Sequence, residues 1–402
     1  MITNIQVLRA FAAMGVVFYH TAFPLPGNVH TEFQGVSIFF VISGFIISQI
    51  AANNPIEFFY HRVVRIVPIY WIATLGCLFW LSSGPLKQIS MLIGVGLIYL
   101  AGKFSSKSKN TYFSIIKDKR HVLLRCLIAL LILAAVLAPV HLWMRPAHLK
   151  PSFLLKSLFF IPALDVHGDL HPVLGVGWTL NLEMFFYVVF AVALFAGKPL
   201  APILASLVLI IIKVLYLTGI CTNDYFKFYS QDYVMFFILG AMLNYAFIWF
   251  KDKVIPKKLA IALLFVAIAY LLFYNLTPRD LFPFFGGPIA SCVGAYMGPT
   301  VLVGAALICH AAGIKCKWSI AILLGNASYS LYLLHVIIIE TLRPTILLWP
   351  VLDCSHNIFA VLAVLLLSIL VSIVSYNYLE LPFQKEFREL GKAMINTASS
   401  NP

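Results

Sequence analysis

The residues of this chain that could do chemistry are ionisable side chains set inside long apolar runs. Arg9 and His20 lie 11 residues apart in RAFAAMGVVFYH. On a helix they would share a face and be separated by roughly 16 Å along the axis. Histidine can accept a proton from a hydroxyl near neutral pH, and a guanidinium can bind phosphate. The spacing suggests a phosphate-bearing donor at Arg9 and chemistry at His20, with a core histidine bonded to a neighbouring helix as the alternative.

Glu183 is the second ionisable group expected within the membrane. It lies in GWTLNLEMFFY, 11 residues after the start of a run at 172, so it should reach a depth similar to that of His20. A carboxylate there could orient and stabilise the imidazole of His20, as in a catalytic triad. A purely structural pair is the alternative.

Two further arginines open the run FFYHRVVRIVPIYW. Arg62 and Arg65 are three residues apart and project from one side of a helix start. Guanidinium groups match the geometry of phosphate. The alternative is that they only anchor the cytoplasmic end of the helix.

Lys213 and His335 are polar residues within other apolar runs. Lys213, in LVLIIIKVLYL, could extend to the interface or pair with a carboxylate. His335 is expected near the outer end of its span, where it and Glu340 could contact an acceptor outside or cap the helix. The seven cysteines have no CxxC or metal-ligand spacing, so no metal site is predicted.

The elements that must position these residues are membrane helices. Hydrophobic residues make up 61% of the 402 residues and charged residues 11%, whereas soluble domains have about 25% charged residues. This composition excludes soluble and disordered chains and predicts an all-α polytopic membrane protein with about 10–12 transmembrane helices. The candidate spans, of about 20 residues each, are 5–22, 33–52, 66–83, 88–102, 122–143, 172–196, 200–220, 231–250, 257–275, 288–311, 319–341 and 357–380. The apolar segment 150–164 is interpreted as interfacial or re-entrant.

The basic residues indicate the topology. The net charge is +13, and most lysines and arginines fall in segments on one side when both termini are cytoplasmic. The segment 103–121 is predicted to be a basic cytoplasmic loop that interacts with anionic membrane lipids, and 384–402 a cytoplasmic tail. A charge of this size can indicate nucleic-acid binding in a soluble protein; here it is attributed to topology, and no nucleic-acid partner is expected.

Six motifs in order resemble those of the membrane-bound acyltransferase family 3. They are RAFAAMGVVFYH, GVSIFFVISGFIIS, FFYHRVVRIVPIYW, GWTLNLEMFFY, ASYSLYLLH and YLELPF. The fourth motif, preceded by SLFFIPA, is similar to that of the ExoZ-like branch of exopolysaccharide O-acetyltransferases. The chain departs from the family at Ser37, which stands where an Asp is common, and at Met184, which replaces a second Glu. The resemblance implies an acyltransferase transmembrane domain over 1–383, into which the loop 103–121 is a possible insertion.

The resemblance implies an enzyme of the bacterial inner membrane, spanning it several times, that transfers an acyl group other than amino-acyl. The group, usually acetyl, would pass from cytoplasmic acyl-CoA to a hydroxyl of O-antigen, exopolysaccharide or lipid-linked glycan. Acetyl-CoA would be a substrate, and no bound cofactor is expected.

By position in the motifs, the resemblance also assigns candidate roles to individual residues. His20 would be the essential histidine, acting as a general base or through an acyl-histidine, with Glu183 beside it. The remaining assignments are Arg9, Arg62 and Arg65 for the donor, Ser43 with Gly44 as the Ser–Gly pair, and Trp178, Thr179 and Tyr187 of the fourth motif as further candidates.

Two other classes of protein could carry charges inside the membrane. One is a transporter or flippase of glycan intermediates, although no internal repeat of the kind common in transporters is visible in the sequence. The other is a non-catalytic sensor or partner subunit.

Overall fold

A computed structural model describes residues 2–21, 34–51, 54–81, 150–165, 167–276, 287–346 and 357–399. In these residues the regular structure is entirely helical, which confirms the all-α prediction. The first seven α-helices are α1 Thr3–His20, α2 Gly35–Ile50, α3 Pro55–Leu81, α4 Pro151–Leu158, α5 Trp178–Ala193, α6 Ala201–Leu217 and α7 Asp224–Tyr229. The next seven are α8 Tyr233–Phe250, α9 Lys257–Leu276, α10 Gly287–Ala311, α11 Ser319–Asn326, α12 Ser328–Ile346, α13 Ile358–Ser375 and α14 Leu381–Ser399. Short 3₁₀ turns flank α5 at Gly175–Gly177 and Leu194–Ala196, and a π-helical turn, Tyr376–Glu380, joins α13 to α14.

The chain is a multi-pass membrane protein. Four helical segments of the described residues are long and apolar enough to cross a bilayer, and they are Gly175–Ala196, Tyr233–Phe250, Lys257–Leu276 and Ile358–Glu389. A fifth span results if α11 and α12 count as one bent span, and three further apolar helices are shorter. Helices occupy ten of the twelve predicted spans, while the predicted spans 88–102 and 122–143 lie outside the described residues. The total of 10–12 spans and the cytoplasmic placement of both termini stay predictions.

The predicted span 319–341 is not one straight helix. It consists of α11 and α12, which meet at a bend of 71° beside Ala327. The run is apolar on both sides of the bend, so its hydropathy does not reveal the break. The bend matters for the site because α12 carries Tyr329, Tyr332 and His335.

The chain divides into two compact units. One consists of Met1–Ala73 and Lys156–Pro402, and the other of Thr74–Leu155. The predicted loop 103–121 lies outside the described residues. Every residue discussed as part of the site belongs to the first unit.

Glycines allow close helix contacts in the first unit. On α2, Gly44 lies directly against the backbone carbonyl of Phe237 on α8, and on α8 Gly240 lies directly against the carbonyl of Val41 on α2. A Cβ at either glycine would overlap the facing carbonyl. Small residues let membrane helices approach in this way, so α2 and α8 form a tightly packed pair.

Helix α1 is at the centre of the first unit and contacts α2, α10, α11, α12 and α13. Its small residue Ala13, together with Val17, packs against Leu331 of α12 and Val364 of α13 in a buried apolar cluster. This packing fixes the relative position of α1, which carries Arg9 and His20, and α12, which carries His335.

The predicted segment 150–164 contains the short helix α4. Two side chains of α3 are anchored to its carbonyl end, because Tyr70 donates to the carbonyl of Ser157 at 3.0 Å and Trp71 donates to that of Leu158 at 2.8 Å. The predicted tail 384–402 is helical as α14 up to Ser399.

Candidate active site

One cavity, partly open to its surroundings, brings together most of the predicted site residues. Its walls come from α1, α2, α3, α5 and α12. Seven residues predicted from the sequence line it, and they are Arg9, Ser43, Arg62, Arg65, Thr179, Glu183 and Tyr187. Much of the remaining wall is apolar and belongs to α2. The cavity therefore combines an apolar wall with a few polar groups, as ligand sites in proteins do.

Three arginines make the cavity positive. Arg9 is 8% and Arg62 7% exposed. Arg9 donates to Gln6 at 3.4 Å, while Arg62 lies over the ring of Phe58 and its buried Nε has no hydrogen-bond partner. Among the described residues, the ion pairs within 4.0 Å do not include Arg9, Arg62 or Arg65. Buried cations need a partner, so the cavity is suited to an anionic ligand.

Glu183 is held by hydroxyl groups. Its Oε1 accepts a hydrogen bond from Ser43 of α2 at 2.8 Å and another from Tyr187, one turn further along α5. The close approach of Gly44 to α8 fixes the segment of α2 that carries Ser43. The carboxylate is thus oriented into the arginine-lined cavity.

The histidines form a pair beside the cavity. Nδ1 of His20 is 3.3 Å from Nε2 of His335, and the two rings meet edge to face with centroids 4.9 Å apart. His335 is fully buried, whereas His20 is half-buried. The expected positions of these residues are therefore corrected in two respects: His20 hydrogen-bonds to His335 and not to Glu183, and His335 is an interior residue and not a cap at the outer end.

Tyr332 connects the cavity wall to the histidine pair. Its hydroxyl is 2.7 Å from that of Thr179, and both hydroxyls lie within hydrogen-bond distance of the carbonyl of Val176. Because each hydroxyl has a single proton, one donates to the carbonyl and the other can donate to its hydroxyl neighbour. Its ring centroid is 6.0 Å from that of His335. Tyr329, one turn earlier, lines the cavity and donates to the carbonyl of Ile66, next to Arg65.

Tyr329 and Tyr332 were not singled out from the sequence, and neither was Ser328, which also lines the cavity. All three lie in the motif ASYSLYLLH. The signal that could have identified them is the recurrence of hydroxyl residues at 328, 329 and 332, a spacing that places them towards one side of a helix.

Two other predicted residues lie away from the cavity wall. Trp178 packs edge to face against Tyr233 at 4.9 Å. Lys213 pairs with Asp232 at 2.6 Å and donates to the carbonyl of Ser230. Partial burial acts to raise the pKa of Asp232, but the hydrogen bond and charge of Lys213 outweigh it and the pKa is lowered overall. The carboxylate partner that the sequence left open for Lys213 is therefore Asp232.

The described residues contain one group that could bring three metal-ligand atoms together, formed by Asp165, Asp169 and His171. Asp165 already accepts hydrogen bonds from the backbone N–H groups of His167 and Asp169. The carboxylate thereby shapes its own turn, and the group lies outside the cavity lining.

Comparisons with known proteins agree with the motifs. The chain is 29% identical over 368 residues to the exopolysaccharide production protein ExoZ of Rhizobium meliloti (strain 1021), an alignment that covers 88% of this chain and 90% of that protein. It is 24% identical to the putative peptidoglycan O-acetyltransferase YrhL of Bacillus subtilis (strain 168), with 98% of this chain and 57% of that protein covered. It is 22% identical to the O-acetyltransferase OatA of Staphylococcus aureus (strain NCTC 8325 / PS 47), with 94% and 56% covered. No solved structure matches the chain.

The family comparison covers nearly the whole sequence. A family model described as an acyltransferase domain matches residues 2–114 and 91–377. These ranges include the arginines of the cavity, Glu183 and both histidines. The chain therefore belongs to the membrane-bound acyltransferase family 3.

Proposed function

We propose that this protein is an O-acetyltransferase of the bacterial inner membrane that moves an acetyl group from acetyl-CoA to a hydroxyl of a surface or exported glycan. The observation that carries the proposal is the cavity with three arginines, one of whose lining residues, Tyr332, has its ring centroid 6.0 Å from that of His335. The family and the names of the relatives support the reaction and a carbohydrate acceptor. Exopolysaccharide appears in one of those names and peptidoglycan in another.

The arginines would bind the phosphates of the donor. Three guanidinium groups and one carboxylate leave the cavity lining with a net positive charge. The phosphates of coenzyme A are anions that a guanidinium can bind through two parallel hydrogen bonds. Arg62, with its unpaired Nε, is the arginine most in need of such a ligand.

The flexible arm of the donor would then extend towards His20. Tyr329 hydrogen-bonds beside Arg65, and His335 is six residues further along α12, which corresponds to roughly 9 Å of helix. The arm between the diphosphate and the thioester of acetyl-CoA is longer than this distance. A donor anchored by the arginines could therefore present its thioester at the histidine pair.

His20 would act as the general base. Its Nδ1 faces the carbonyl of Val16 at 2.9 Å, so the lone pair lies on Nε2. That nitrogen takes the proton of the acceptor hydroxyl while the hydroxyl oxygen forms a bond to the thioester carbonyl carbon. The C–S bond then breaks, and the leaving thiolate takes the proton from Nε2. The products are the O-acetylated glycan and coenzyme A, and His20 returns to its neutral form.

The test is mass spectrometry of the cell-surface glycan from cells that produce the protein or a variant in matched amounts. His20→Ala should lower O-acetylation by about 100-fold or more. His171→Ala, which changes an exposed loop histidine, is the control and should acetylate normally. Normal acetylation by His20→Ala would show that His20 is not the base. Unchanged acetylation with reduced glycan export on deletion of the gene would instead identify a transporter.

A further inference from the structure

The histidine pair has a definite arrangement of protons. We propose that His335 is a positioning residue, which together with the carbonyl of Val16 holds His20 in the tautomer that leaves Nε2 unprotonated, and which stabilises the positive charge that His20 acquires during transfer. This inference rests on the proposed function. It assigns to an imidazole the role that a carboxylate has in a catalytic triad.

The hydrogen bonds determine both tautomers. Nδ1 of His335 is 3.1 Å from the carbonyl of Leu331, and Nδ1 of His20 is 2.9 Å from the carbonyl of Val16. A carbonyl oxygen only accepts hydrogen bonds, so each Nδ1 carries the proton and each Nε2 carries the lone pair. The N–H of His20 is then shared between Val16 and Nε2 of His335, which accepts at 3.3 Å.

This arrangement leaves the reactive nitrogen of His20 available. Among the described residues, Nε2 of His20 has no hydrogen-bond partner, whereas both nitrogens of His335 are used. When Nε2 of His20 takes a proton from the acceptor, the imidazolium keeps its Nδ1–H directed at the lone pair of His335. A hydrogen bond from a charged donor is about twice as strong as a neutral one, so the interaction strengthens as the charge develops.

The pair is also held rigidly. His335 is fully buried, and it lies one turn after Leu331, which packs with Ala13 and Val17 of α1. The carboxylate of Glu183 is bonded to Ser43 and Tyr187, so it does not take the orienting role that its depth suggested. His335 does not line the donor cavity, and it can therefore influence His20 without contacting the donor.

The experiment compares three substitutions at His335 in membranes that contain the cell's own glycan, with radiolabelled acetyl-CoA as the donor. In His335→Gln the amide oxygen can occupy the position of Nε2 and accept from His20, whereas in His335→Asn the shorter amide ends near the position of Nδ1. His335→Leu fills similar space without an acceptor. We expect Leu and Asn to lower kcat by about 10- to 100-fold, as loss of an orienting partner does, with the KM for acetyl-CoA unchanged. Gln should restore a kcat close to that of the wild type.

Other outcomes overturn the inference. Equal activity of all three variants, or equal loss in all three at normal protein levels, would assign His335 to packing alone. A rise in KM without a fall in kcat would place His335 in donor binding. The amount and thermal stability of each variant in detergent separate loss of function from loss of folding. An active His20→Ala variant would refute the proposed function, whereas an inactive His20→Ala with a fully active His335→Leu would refute only the positioning role.

Discussion

The proposed mechanism divides the residues of the candidate site into a binding part and a reacting part. The binding part is made of Arg9, Arg62 and Arg65, whose guanidinium groups lack a carboxylate within 4.0 Å in the described residues. The proposed reacting part is His20, whose Nδ1 is 3.3 Å from Nε2 of His335. The separation matters because it predicts that substitutions in the two parts change different kinetic constants.

Arg62 offers the clearest test of the binding part. Arg62→Gln should raise the KM for acetyl-CoA by about 10- to 100-fold, because a hydrogen bond to a charged group contributes about 1.5–3 kcal/mol. Arg62→Lys should be intermediate, since it keeps the charge and loses the planar fork. The measurement is the rate of glycan acetylation at varied acetyl-CoA.

The matched control for Arg62 is Lys257→Gln, which removes an exposed charge at the start of α9 and should leave KM unchanged. A normal KM for Arg62→Gln would rule out donor binding at this arginine.

Contacts between helices position the site residues. The apolar faces of the helices do not by themselves specify which helices meet. The pairing of α2 with α8 depends on Gly44 and Gly240, and it places Ser43 beside Glu183. The bend beside Ala327 precedes α12, which carries Tyr329 and Tyr332 of the cavity lining and His335 beside His20. A change at these positions should therefore affect the site without touching a ligand.

Gly44→Ala tests whether the close pairing of α2 with α8 supports the site. The added methyl would overlap the backbone carbonyl of Phe237, and overpacking of this kind costs about 1–3 kcal/mol. We expect a lower melting temperature in detergent, and lower acetylation because Ser43 shifts relative to Glu183.

The control is Gly304→Ala on α10. Its Cβ would meet Leu243 of α8 at an ordinary 3.5 Å, so its stability should be unchanged or slightly improved. If the two variants melt alike, the tight contact of α2 with α8 does not limit stability.

The whole molecule is a membrane protein whose basic residues are distributed unevenly along the chain. Both termini are predicted to be cytoplasmic from this distribution. The orientation bears on function because it would place Arg62 and Arg65, near the start of α3, towards the cytoplasmic supply of acetyl-CoA.

Reporter fusions test this orientation. Green fluorescent protein at the C-terminus should fluoresce, since it folds in the cytoplasm. Thr222 follows the seventh predicted span, 200–220, so a cytoplasmic N-terminus places it outside. Alkaline phosphatase fused after Thr222 should therefore be active, because that enzyme requires export. An inactive phosphatase at Thr222 together with a dark C-terminal fusion would reverse the topology and place the arginines at the wrong side for the donor.

The sequence by itself determined the fold class and the positions of most helices. Hydropathy alone identifies apolar helices, because a bilayer demands about 20 apolar residues per span. The motifs named seven residues that line the cavity. Ionisable residues inside apolar runs were also recognisable as candidates for a functional site, because a charge within a membrane is costly. Arg9 and Glu183 are among them.

Only the tertiary structure decided which of these residues meet. Depth along a helix follows from counting residues, but the direction in which a side chain points between helices depends on packing. His20 and Glu183 were expected to pair because they reach similar depths, yet Glu183 is bonded to Ser43 and Tyr187, and His20 is bonded to His335. The contact of α1 with α12 through Ala13, Val17 and Leu331 brings together two histidines that are 315 residues apart in the chain. No local pattern in the sequence predicts a contact between two residues so far apart in the chain.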